Sequence, residues 1–64
     1  MARTEMIQTR KATVIVYFRD LFPNGEIFVE RVALRCATVV VNEIVYHVDL
    51  CDDGRVKNAR NIGW

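Results

Sequence analysis

Sixty-four residues make a single domain, and a chain of this size buries only about 60% of the surface its unfolded form exposes, so its stability is marginal. A net charge of +1 excludes the strongly basic chain that non-specific DNA binding favours. The longest apolar run falls far short of the ~20 residues of a membrane span, and two cysteines are too few for a disulfide scaffold.

The polar start MARTEMIQTRK has no apolar segment of the signal-peptide kind. The expectation is a complete small protein of a reducing, cytoplasmic compartment, with Cys36 and Cys51 as free thiols behaving like small hydrophobes. Residues 1–10 show no strong period and are expected to be a flexible or loosely docked arm on a single β-rich domain, 11–64.

Ala12 to Asp20, ATVIVYFRD, is rich in residues that suit a pleated surface and reads as a strand. Alternation places Val14, Val16 and Phe18 on one face and Thr13, Ile15, Tyr17 and Arg19 on the other. Leu21 to Gly25, LFPNG, is a turn in which Pro23 fixes φ and Gly25 supplies a positive φ, so a hairpin is expected. Leu21 and Phe22 are unusually apolar for such a loop.

Glu26 to Arg35 starts as a strand, with Ile27 and Val29 facing one way and Glu26, Phe28 and Glu30 the other. The alternation then fails. Val29, Val32, Ala33, Cys36 and Val40 follow a helical spacing, but the β-branched run Thr38–Val41 opposes a helix. A bent or bulged strand is favoured over a short helix around 30–37. Ala37 to Leu50 is strand-forming throughout and too long for one strand, so Asn42-Glu43 is read as a two-residue turn. Beyond it, Ile44, Tyr46, Val48 and Leu50 form an apolar face, and Val45, His47 and Asp49 the opposite one.

Asp52-Asp53-Gly54 is the strongest hairpin signal, with Asp-Gly suited to primed turns. Arg55 to Lys57 reads as a short last strand and Asn58 to Ile62 as a final single turn. Trp64 is expected on the core rim or in a partner's pocket. The sum is a mainly β fold: a four- to five-stranded antiparallel meander or small SH3-like barrel. The alternative is α+β, an antiparallel sheet with one short helix around 30–37.

Chemistry is sparse. The chain has one histidine and no serine. His47 and Cys51 lie about 13 Å apart on an extended strand, so no nucleophile–base pair forms. Cys36, His47, Cys51 and Asp52 or Asp53 are adequate zinc donors but lack paired ligand spacing. Asp49, Asp52 and Asp53 flank a turn, where Asp is expected on turn grounds alone. Three scattered glycines build no phosphate loop. No enzyme activity, cofactor, metal or small-molecule substrate is therefore expected.

Charge is segregated. Met1–Lys11 and Arg55–Trp64 are basic, and the stretch between them is acidic. The expected function is that of a small intracellular protein-binding module, by analogy a phage-type regulator or inhibitor docking on a larger host protein. It would act through a strand edge or a second apolar sheet face. The partner is another protein or a second copy in a homodimer, not a membrane, and the expected contact residues are Ile15, Tyr17, Arg19, Leu21, Phe22 and Trp64. The alternative is a small-barrel nucleic-acid binder using Arg10, Lys11, Arg55, Lys57 and Arg60.

Overall fold

The computed structural model describes residues 3–63. One helix, α1 (Arg3–Leu21), precedes four strands: β1 (Ile27–Val32), β2 (Cys36–Val41), β3 (Ile44–Leu50) and β4 (Val56–Asn61). The strands form one sheet in the order β1-β2-β3-β4, each pair antiparallel. The expected four-stranded meander is present. It is an open sheet with a helix on one face, an α+β arrangement whose helix lies at the start of the chain and not around 30–37.

The strand expected over Ala12–Asp20 is helical. Alternation had grouped Val14, Val16 and Phe18. On a helix Val14 and Phe18, four apart, stay on one face, while Val16 turns away. Val14 and Phe18 are fully buried and Val16 is 59% exposed. Residues 3–10, the described part of the 1–10 segment expected as a loose arm, are the first half of the same helix, and Arg10 within them is buried. Arg10, Val14 and Phe18 form the buried stripe. It passes for polar in the sequence because its first member is an arginine. Burial of Val14 and Phe18 against the sheet outweighs the low helix propensity of the β-branched run.

The core joins Val14 and Phe18 to Ala37, Val39 and Val41 of β2 and Val48 and Leu50 of β3. Tyr17, Phe22 and Tyr46 gather around Phe18, with ring centroids 5.3 to 6.5 Å from it. Ile27, Val29 and Val32 of β1 and Val56 and Ala59 of β4 close the rim.

Each edge strand carries an irregularity in its pairing. Val29 pairs with Val39 but Arg31 with Thr38, so Glu30 is extra. Asp49 pairs with Asn58 but Leu50 with Val56, so Lys57 is extra. A bulge shifts the alternation by one and returns Val32 and Ala59 to the core side. This accounts for the helix-like spacing of Val29 and Val32, and the bulged strand expected over Glu26–Arg35 is found. Asn58 to Asn61, expected as most of a final turn over Asn58–Ile62, is instead part of β4.

Two of the three strand turns follow their residues closely. Asn42 and Glu43 both have positive φ, 50° and 71°, as a primed two-residue hairpin requires. Asp52-Asp53-Gly54, expected as a hairpin, joins β3 to β4 as a three-residue loop. Gly54 N–H donates to the Cys51 carbonyl (2.9 Å) and Cys51 N–H to the Arg55 carbonyl (2.8 Å). Gly54 has φ +91°, a conformation strained for any residue with a Cβ. Gly25 is not among the positive-φ glycines. It is needed for space, since a Cβ there would meet Phe22 Cβ at 3.0 Å. Its turn leads from the helix into β1, so no hairpin forms there.

Arg10 ties the helix to the far end of the sheet. Its Nε donates to the Leu34 carbonyl (2.7 Å) and an Nη to the Asp52 carbonyl (2.7 Å). These carbonyls belong to the β1–β2 and β3–β4 turns, and the Arg10 side chain packs against Gly54.

Candidate protein-binding face

Residues directly opposite one another in antiparallel strands share a face. On the face away from α1, Phe28, Val40 and Val45 are successive partners across β1, β2 and β3. Ile62 N–H donates to the Val45 carbonyl (2.9 Å), which brings Ile62 to the end of the same row. The result is an apolar row that runs from β1 across β3 to the residue just after β4. Its two ends are open, with Phe28 64% and Ile62 56% exposed.

Polar rows flank it. On one side Arg31, Thr38, His47 and Arg60 are successive partners, and beyond them Cys36, Asp49 and Asn58. His47 Nε2 lies 3.2 Å from Asp49 Oδ1. On the other side Glu26 and Glu43, with Phe28 and Val40, line a shallow depression of ≈ 370 Å³. The Asn42 side chain holds this corner by accepting from Glu26 N–H at 2.9 Å, while Asn42 N–H donates to the Glu26 carbonyl at 3.0 Å. Glu43 keeps its acid at a φ of 71°, where glycine is the unstrained residue.

The contact residues expected from the sequence lie elsewhere. Ile15 and Tyr17 do not share a strand face, since two residues on a helix point about 200° apart. Tyr17 and Phe22 are half-buried against the core. Arg19 and Leu21 are exposed at the end of α1, Leu21 by 55%, and Ile15 is half-buried on the same helix. Trp64 lies outside the described residues. The face formed by Phe28, Val40, Val45 and Ile62 was not singled out as a candidate, although alternation had already turned Phe28 and Val45 away from their apolar neighbours.

The basic residues expected to bind nucleic acid do not converge. Arg10 is 6% exposed and its guanidinium is bound to backbone carbonyls. Lys11 is on α1, and Arg55 pairs with Asp53 at 2.8 Å. Lys57 and Arg60 are exposed on β4. Asp53 accepts from Arg55 N–H and then from its guanidinium, which together hold its carboxyl below the usual carboxylate range.

Among the described residues no group of three or more His, Cys, Asp or Glu side chains gathers as a metal site. Cys36 and Cys51 are free thiols. Among the described residues no helix is long and apolar enough to cross a membrane. Comparison with protein-family models, with curated proteins and with solved structures finds no match.

Proposed function

We propose that this chain is a small intracellular protein-binding module that docks through the uncovered face of its sheet, in the manner of a compact regulator or inhibitor of a larger protein. The observation that carries this reading is the apolar row Phe28–Val40–Val45–Ile62, which runs across β1, β2 and β3 to the residue that follows β4, with both ends open. Fully burying a side chain such as Phe28 or Ile62 is worth roughly 1.5–3 kcal/mol. Edge docking is less favoured. Both edge strands are bulged and carry charge, Glu30 and Arg31 on β1 and Lys57 and Arg60 on β4, and these features discourage strand addition.

Affinity capture from cells tests the reading with wild-type chain and Phe28→Asp as parallel baits. A stoichiometric protein held by the wild type and lost from the variant is the expected result. Equal capture by both baits, or no capture by a chain that is also strictly monomeric, would rule the face out.

A nucleic-acid role has one observation in its favour: β4 carries Lys57 and Arg60 and no acid. Glu26, Glu43 and Asp49 on the same face oppose it. A chain that shifts no single-stranded DNA or RNA even at low salt excludes it.

A further inference from the structure

We infer that the occupant of the open sheet face is a second copy of this chain, packed sheet to sheet about a two-fold axis that runs along the apolar row. This inference rests on the face being a protein-binding surface. It commits that surface to one partner and one geometry.

The charge pattern selects the geometry. Glu26 lies two residues before Phe28. Because of the bulge, Arg31 takes the pairing position two beyond it, opposite Thr38 while Phe28 is opposite Val40. Glu43 likewise precedes Val45 by two residues and His47 follows it by two. Residues two apart on a strand are about 6.8 Å apart. An acidic row and a cationic row therefore lie at similar distances on either side of the apolar row.

Two kinds of two-fold axis can stack identical faces on one another. An axis along the row sets apolar row on apolar row and reverses the strand direction. Glu26 then meets Arg31 of the second copy, and Glu43 meets His47. An axis along the strands instead sets acid against acid, with Glu43, at the central hairpin, close to its own copy. Like charges brought together across an interface oppose association. Glu30, the extra residue of the β1 bulge, offsets one cation of the Arg31–Arg60 row, and Lys57 offsets Asp49, so the cationic side keeps a net positive charge facing two acids.

The available area suits a weak, exchanging dimer. Four strands of about six residues give a face of roughly 19 by 20 Å. Two such faces cover on the order of 800 Å² before side-chain corrugation is counted, which falls in the range of transient interfaces. Sheets stacked this way sit about 10 Å apart with their inner residues interdigitated. The second layer gives a small single core the partner it lacks.

Sedimentation equilibrium of the full chain from roughly 1 µM to 1 mM tests the proposal. The wild type is expected to show monomer–dimer exchange, and Phe28→Asp to remain monomeric. Glu26→Arg and Arg31→Glu each dimerise at least tenfold more weakly, because each sets like charges together. A one-to-one mixture of these two variants restores wild-type association, because every cross-pair is again opposite in charge. That recovery also shows both variants to be folded. A wild type that stays monomeric at 1 mM overturns the dimer, while the differential capture with Phe28→Asp still decides the broader reading. A dimer indifferent to Phe28→Asp overturns the face, and a mixture that fails to recover overturns the two-fold axis.

Discussion

Replacing Arg10 by Met removes the guanidinium but keeps most of the stem that packs beneath Gly54. Two short hydrogen bonds are lost, both 2.7 Å, to the Leu34 and Asp52 carbonyls. The third contact, 3.4 Å to the Met6 carbonyl, is too long to count for much. A hydrogen bond to a charged group contributes roughly 1.5–3 kcal/mol, and water reaching the vacated corner recovers part of the loss. The expected destabilisation is about 3 kcal/mol. A domain of this length has a total stability of about 3–10 kcal/mol, so the variant sits near its unfolding threshold. Urea denaturation followed by far-UV circular dichroism measures the change, with Lys11→Met as the exposed neighbour, expected within about 0.5 kcal/mol of wild type. An Arg10→Met midpoint as close to wild type as that of Lys11→Met refutes the tether. Gly54→Ala and Arg10→Ala form a separate cycle. A Cβ added at Gly54 would lie 3.1 Å from Arg10 Cγ, so part of the Gly54→Ala cost disappears in the Arg10→Ala background and the strain of positive φ remains.

Val16→Glu is expected to change stability by less than about 0.5 kcal/mol while Val14→Ala costs about 2 kcal/mol, a contrast in the urea midpoint that a strand with both residues on one face would not give. Glu43→Gly relieves the left-handed strain at φ 71° and raises stability by about 0.5 kcal/mol, yet it weakens self-association in sedimentation because it removes an acid from the face. Asp53 has a folded pKa below its unfolded value, so its contribution is complete above the unfolded pKa and is lost as pH falls through the folded one. Asp53→Asn therefore flattens the acid limb of the stability–pH profile.

The sheet was largely legible because its signals are local. The Asn42-Glu43 turn, the apolar alternation of Ile44–Leu50 and the broken alternation after Val29 each report their own backbone. The helix was not legible, because the residues that fix it act over a distance. Val14 and Phe18 are helical through burial against β2 and β3, and Arg10 through carbonyls in turns more than twenty residues away. Locally the same stretch is a good strand. The site was hidden for the same reason. Once Ala12–Asp20 is read as a strand, Ile15 and Tyr17 become the second apolar face, and Phe28, Val40, Val45 and Ile62 recede into single positions scattered along the chain. Only the register makes them a row.

The same contrast provides the most direct test of the account. Among the described residues four large apolar side chains are more than half exposed: Val16 and Leu21 on α1, and Phe28 and Ile62 on the open face of the sheet. Hydroxyl-radical footprinting compares the chain in dilute purified form with the chain in concentrated cell lysate. Protection of Phe28 and Ile62 in lysate, with Val16 and Leu21 equally labelled in both states, is the predicted result. Protection of Val16 and Leu21 with Phe28 and Ile62 left open would contradict it and return the binding surface to the helix.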